Sequence, residues 1–157
     1  STLSPSSAAS DVYKRQIDQL LISALMQDSR SSLKTLARIS GLSSPSVAQR
    51  IHKLEERKVI TGYTVDVDPK AFGYQLQAII RIRPLPGQLQ EVERQIQNTP
   101  QFTECDKVTG DDCFIARLHV RSIEQLDSLL DGLNAYAETN TAIIKKSPVK
   151  RRLPPMG

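Results

Sequence analysis

The segment SLKTLARISGLSSPSVAQRIHKLEE, Ser32 to Glu56, decides the reading of this chain. Its first part places Leu33, Leu36 and Ala37 on one side of a helix opened by Ser32, whose hydroxyl suits an N-cap. Gly41 stands where a helix closes through a left-handed residue, a conformation that glycine adopts at little cost. Gly41 to Ser44 form a turn, and Ser44-Pro45 reads as an N-cap followed by proline at the first helical position, where its missing N–H is no loss. The next helix carries Val47, Ile51 and Leu54 on an inward stripe. At about 100° per residue its opposite side presents Ser46, Gln49 and Lys53, flanked by Arg50 and Arg57. Helix, short turn and polar-faced helix make a helix-turn-helix, whose second member fits the major groove of duplex DNA.

Charge supports the same reading. Arg30, Lys34, Arg38, Arg50, Lys53, Arg57 and Lys58 face only Glu55 and Glu56 within this region, a net +5, whereas the whole chain carries +4. A local basic excess suits a phosphate-binding surface, because neutralising phosphates releases condensed counterions. Lys53 and Arg57, with Lys34 and Arg38 on the preceding helix, are the expected phosphate contacts. Ser44, Pro45, Ser46, Gln49 and Arg50 lie where the recognition helix meets the groove, with Ser46, Gln49 and Arg50 as the base readers. Gln can bond bidentately to adenine and Arg to guanine. His52, between the two faces, reads as a packing or backbone-contact residue.

Upstream, Ile17, Leu20, Leu21, Ala24 and Leu25 recur at helical spacing and predict a helix over 16–27. Residues 1–15, rich in Ser and Ala and without apolar periodicity, read as a disordered lead-in. A DNA-binding domain is expected over 16–60. Downstream, Gly62, Pro69 and Gly73 among β-branched residues mark a linker over 61–73.

Residues 74–157 change pattern. Leu76, Ala78, Ile80 and Ile82 alternate as in a strand, and Leu89, Val92 and Ile96 return to helical spacing. A weaker strand covers 103–108; Thr109-Gly110-Asp111-Asp112 is rich in turn formers, and Phe114, Ala116, Leu118 and Val120 alternate again. A turn between Gly110 and Asp111 sets Cys105 opposite Ala116 and Cys113 opposite Val108. Ile123, Leu126, Leu130 and Leu133 form a further helix, and residues 139–148 hold the last strand. The order is β-α-β-β-α-β, a ferredoxin-like split unit with helices on one face. Ile79, Ile115 and Ile143 are expected on the other face, where apolar residues suit burial against a second copy. The fold class is therefore α+β: a winged-type helix-turn-helix domain followed by a ferredoxin-like sandwich.

This layout resembles the Lrp/AsnC family of transcription regulators. The resemblance rests on Ile17-Asp18 and Leu20-Leu21, Leu36-Ala37, Gly41-Leu42-Ser43, Arg50-Ile51 and Leu54-Glu55. It continues through Ile60, Gly62-Tyr63-Thr64, Asp68-Pro69, Val108-Thr109-Gly110-Asp111 and Val149-Lys150. It implies sequence-specific binding of double-stranded DNA and a homodimer assembling further into tetramers or octamers. It also implies an amino-acid effector bound in part by the hairpin turn, at Thr109, Gly110, Asp111 and Asp112. Turn amides can hold a carboxylate and an aspartate an ammonium group. Many leucine-responsive members carry Gly-Asp-x-Asp; here Asp112 follows Asp111 directly and Cys113 takes the later position, so leucine is not singled out. Thr139 and Thr141 would complete the pocket.

At 157 residues and 39% hydrophobic, the chain can bury a core. No apolar run approaches the roughly 18 residues of a membrane span, and two dispersed cysteines give no disulfide framework, so a cytoplasmic location is expected. No phosphate loop, nucleophile elbow or metal-ligand spacing appears, and neither cofactor, metal nor enzymatic activity is expected. The alternative is a tetrapyrrole enzyme of the sirohaem decarboxylase kind on a similar architecture, using His119, Arg117 and Arg81.

Overall fold

The computed structural model describes residues 5–157. The chain divides into two compact units, one reaching to Val65 and including residues 154–157, the other spanning Asp66–Leu153. The division falls inside the 61–73 span read as a linker, but residues 154–157 group with the first unit rather than the second.

In the first unit, α1 covers Pro5–Gln27, α2 Leu33–Ser40 and α3 Ser44–Glu56. Where a disordered lead-in was expected over 1–15, α1 begins at Pro5; residues 1–4 lie outside the described residues. Ala8 and Ala9 are strong helix formers, and they extend a helix already held by the packing of its later turns. Residues 8–16 are nevertheless exposed throughout. Ile17 and Leu21 of α1 join Leu36 and Val47 in the core, with Ala24, Leu25, Ala37, Leu42 and Ile51 packed around them. Leu33 is not part of that core and is exposed, as is Leu20.

The caps follow the chemistry with one shift. Ser32 caps α2 by accepting from Thr35 N, and Gly41 closes it at φ 73°. For α3 the cap is Ser43 rather than Ser44, its hydroxyl accepting from Ser46 N at 3.3 Å. This places Pro45 one position further into the first turn, where its N–H is still not needed. After α3, Lys58 takes a left-handed φ of 59°, and Val59 N donates to Leu54 O at 2.9 Å, closing the helix end. Residues 61–68 have no regular structure, and no wing hairpin follows α3 among the described residues.

The second unit opens with a 3₁₀ turn, Pro69–Phe72, capped by Asp68. Then come β1 Leu76–Pro84, α4 Leu89–Gln97, β2 Phe102–Lys107, β3 Phe114–Val120, α5 Ile123–Asn134 and β4 Ala137–Ile143. The strands form one antiparallel sheet in the order β2-β3-β1-β4. Ala78, Ile80 and Ile82 of β1 and Phe114, Ala116, Leu118 and Val120 of β3 bury one face against Val92 and Ile96 of α4 and Leu126 and Leu133 of α5. The Arg121 guanidinium lies over the Tyr74 ring at 4.5 Å and donates to Phe72 O at 2.6 Å, tying the 3₁₀ turn to the end of β3.

The register corrects two expectations. The last strand begins at Ala137 and ends at Ile143, leaving residues 144–148 outside the sheet. Ile143 pairs with buried Ala78 and so points to the helix-covered side, while Ala142 stands opposite Ile79 on the uncovered face. The β2–β3 hairpin does pair Cys105 with Ala116, and Val108 N donates to Cys113 O at 2.9 Å.

Candidate nucleic-acid interface and effector pocket

Val47 and Leu54 of α3 are buried and Ile51 half-buried, which turns the opposite side outward. Gln49, Lys53 and Arg57 are exposed, and among the described residues they enter no side-chain hydrogen bond or ion pair. Lys34 and Arg38 of α2 are exposed too, as is Pro45, while Ser44 and Ser46 are half-buried. Ser46 Oγ accepts from the Ser43 hydroxyl at 2.9 Å, so its hydroxyl is partly engaged in the turn.

Arg50 departs from the sequence expectation. Its guanidinium lies 2.8 Å from Asp18 Oδ1 and donates to Lys14 O at 2.9 Å, with both charged side chains only 20% exposed. It fastens α3 to α1 instead of standing free as a base reader. The reason is angular: Arg50 is one residue before Ile51 and lies at the edge of the buried stripe, within reach of α1. His52 pairs with Glu56 Oε1 at 2.9 Å on the exposed side. Beyond the helix, the Tyr63 hydroxyl donates to Glu55 Oε1 at 2.8 Å; partial burial, reinforced by that carboxylate, raises the phenol's pKa.

In the second unit a cavity of about 300 Å³ is lined by Arg81, Arg83, Asp112, Glu138, Thr139 and Asn140. Arg83 sits between two carboxylates, 3.6 Å from Asp112 Oδ1 and 3.7 Å from Glu138 Oε2. Two guanidiniums and two carboxylates around a polar recess offer complementary charge to both ends of a zwitterion.

Of the expected effector residues, Asp112 and Thr139 line this cavity. Thr109, Gly110 and Asp111 lie exposed in the hairpin turn outside its lining, and Gly110 adopts φ 105°. Cys113 is half-buried and packs against the core of the sheet, outside the cavity lining. Thr141 pairs with buried Ile80 and shares the helix-covered side, as does Thr139 opposite buried Ile82, and of the two Thr139 is the one that borders the cavity. Arg83, Glu138 and Asn140 had not been singled out. Their signal was the alternation of Arg81 and Arg83 with buried Ile80 and Ile82, two like charges on the uncovered face of a central strand. On that face Arg117 lies 3.8 Å from Glu104, and His119 Nδ1 lies 3.2 Å from Thr103 Oγ1. Burial, aided by Arg117, lowers the His119 pKa.

A helix-turn-helix with an outward polar helix, joined to a β-α-β-β-α-β unit bearing a polar recess, defines a DNA-binding regulator with a ligand-binding domain. Comparison with known proteins agrees: residues 16–55 match the AsnC-type helix-turn-helix domain and residues 77–154 the Lrp/AsnC ligand binding domain. The chain belongs to the Lrp/AsnC family of transcription regulators. It is 31% identical to the HTH-type transcriptional regulator LrpC of Bacillus subtilis over 129 residues, 82% of this chain and 90% of the relative. It is 32% identical to LrpA of Mycobacterium tuberculosis over 126 residues, covering 80% and 84%. The solved structure of B. subtilis LrpC superposes with a TM-score of 0.80 at 29% identity, covering 86% of this chain and 96% of that one. A feast or famine regulatory protein of M. tuberculosis complexed with L-methionine gives 0.79 at 30% identity, covering 88% and 96%. No described helix is long and apolar enough to cross a membrane.

Proposed function

We propose that the chain represses or activates transcription by placing α3 in the major groove, with Gln49 and Ser46 toward base edges and Lys53, Arg57, Lys34 and Arg38 toward phosphates. Ser44 and Pro45 lie at the helix start, against the groove, and Arg50 holds the helix in position. The carrying observation is the free polar side of α3, Gln49 and Lys53 opposite buried Val47 and Leu54.

The effector is an amino acid, with the Arg81–Arg83–Asp112–Glu138 recess as its seat and Thr139 at the border. The balanced charge of that recess favours a zwitterion, and the methionine complex of the mycobacterial relative supports the class. The chain works as a homodimer through the uncovered sheet face, where Ile79, Ile115 and Ala142 stand apart from the helices, and dimers assemble into tetramers or octamers. It acts in the cytoplasm, as a regulator and not a catalyst, in keeping with relatives named as transcriptional regulators. For the tetrapyrrole alternative, His119, Arg117 and Arg81 would have to converge on one recess. Arg81 alone of the three lines the described cavity, and Arg117 is paired with Glu104.

Selection of bound duplexes from a random pool, repeated with each amino acid, tests the proposal. The expected result is a defined operator and at least one amino acid that changes affinity or assembly; a ligand that binds both states equally shifts nothing. Failure to retain any duplex, with a coloured tetrapyrrole-bound protein instead, would reverse it.

A further inference from the structure

We infer that the segment following β4 is a second phosphate-binding element, which grips the DNA backbone independently of the helix-turn-helix. Lys145, Lys146, Lys150, Arg151 and Arg152 lie within eight positions, and no acid occurs between Glu138 and residue 157. This segment and the 30–58 region together hold twelve of the twenty-one Lys and Arg residues and only two of the seventeen acids. The remaining chain is therefore acidic, and the segment is the one basic concentration outside the helix-turn-helix. It lies within the stretch that matches the ligand-binding domain.

The structure leaves these charges available. Ile144 N donates to Gln77 O at 2.8 Å and ends the sheet; from Lys145 onward every residue is exposed and the backbone is irregular. Among the described residues, none of the five cations enters an ion pair or side-chain hydrogen bond. Pro148 and Pro154 bracket Lys150-Arg151-Arg152, fix their own φ and hold the residues before them extended. The segment thus forms no helix of its own, and its irregular backbone bends at residues 148, 149 and 151, spreading the cations along an exposed chain. Residues 154–157 pack with the first unit, Met156 lining a recess on α1 with Gln16, Gln19, Leu20 and Ser23. Arg152 precedes residues 154–157 by two positions in the chain.

A regular polyanion fits such a strip better than a carboxylate pocket does, because the cations are spaced along an adaptable backbone and no acceptor or apolar wall defines a shape. Duplex DNA is the polyanion the first unit already addresses, and the inference rests on that reading.

The test compares the full chain with a Lys150→Ala/Arg151→Ala/Arg152→Ala variant and a charge-keeping Lys150→Arg/Arg151→Lys/Arg152→Lys variant. Affinity for the selected operator and for a random duplex of equal length is measured from 50 to 200 mM salt. Each lost phosphate contact lowers the log–log salt slope by about 0.9. Loss of two or three contacts therefore makes the alanine variant's affinity fall about 10- to 40-fold less than the parent's over that range. Operator and random duplex should weaken alike at low salt, and the charge-keeping variant should match the parent. Parallel salt slopes for parent and alanine variant overturn the inference while leaving the helix-turn-helix reading intact. A change of assembly state without DNA, seen by sedimentation, also overturns it, since the cations would then serve contacts between copies. If the parent itself retains no duplex, both readings fall together.

Discussion

Arg50 of α3 and Asp18 of α1 form a charge-assisted pair, Nη2 to Oδ1 at 2.8 Å, with each side chain 20% exposed. Together with the bond from Arg50 to Lys14 O, the pair fixes the angle at which α3 leaves the core. Breaking one partner of a half-buried pair leaves the other poorly solvated, a loss of about 1–3 kcal/mol. Arg50→Ala and Asp18→Asn are both expected to lower the urea midpoint of the first unit. Base preference in the folded protein should stay unchanged. Relaxed preference at one base pair with stability intact would return Arg50 to the role of reader.

Gln49 and Lys53 are separated by one helical turn and should fail in different ways. Gln49→Ala removes a side chain that can bond bidentately to adenine, and discrimination at one operator position should fall by about 1–3 kcal/mol. Lys53→Ala should weaken operator and random duplex alike and reduce the salt slope by about 0.9. Binding measured on the operator, on its single-base variants and on random duplex separates the two outcomes. Identical profiles for both variants would contradict the assignment of roles.

Two left-handed residues bound the reading helix, and they make a pair of opposite predictions. Gly41 at φ 73° has open space around the position a Cβ would take, so Gly41→Ala costs only the conformational strain, about 1–2 kcal/mol. Lys58 adopts φ 59° with a side chain; Lys58→Gly relieves that strain but loosens the unfolded chain, for a net gain below about 1 kcal/mol. Thermal unfolding of both variants checks the signs.

How far the sequence carried the fold follows from what local chemistry can say. Gly41, Ser32 and the Val47–Ile51–Leu54 stripe announce themselves through caps and periodicity, and the hairpin register at Cys105 and Ala116 follows from the turn alone. The Ser43 cap was missed because adjacent serines offer the same hydroxyl, and only the backbone decides which one turns inward. The early start of α1 was missed because Ser and Ala give no apolar period. The pairing of Arg50 with Asp18 carried no local signal because the partner lies thirty-two residues away on another helix. The alternation marks Arg83 but does not join it to Glu138, for a similar reason: their meeting with Asp112 needs β1 to run between β3 and β4, a sheet order that no short pattern encodes.

That meeting gives the effector prediction. Arg83 holds Asp112 and Glu138 at 3.6 and 3.7 Å across the recess. Arg83→Ala should abolish the calorimetric signal of the activating amino acid or weaken it at least tenfold, while Thr141→Ala, on the helix-covered side, should leave it within about twofold. Either change leaves α3 untouched, so DNA affinity without effector should match the parent. An unaltered isotherm for Arg83→Ala would move the seat of the effector away from this recess, toward the exposed Thr109–Asp111 turn.

His119 supplies a pH test of the sheet. Burial first, then the neighbouring Arg117, depresses its folded pKa, with Glu104 opposing and Thr103 on β2 bonded to the ring. The unfolded chain keeps the ordinary imidazole value near 6.5, so between the two values the unfolded state binds more protons and stability rises with pH. Acidification from pH 7.5 to 5.5 should therefore lower the urea midpoint, and His119→Gln, which keeps a side chain able to bond Thr103, should flatten that fall. Glu91 stays outside this window: hydrogen bonds from Arg94 hold its pKa at about 2, so its contribution is lost only as pH drops from the ordinary carboxylate range toward that value. A midpoint that falls equally in the parent and in His119→Gln above pH 5.5 would assign the acid sensitivity to another group.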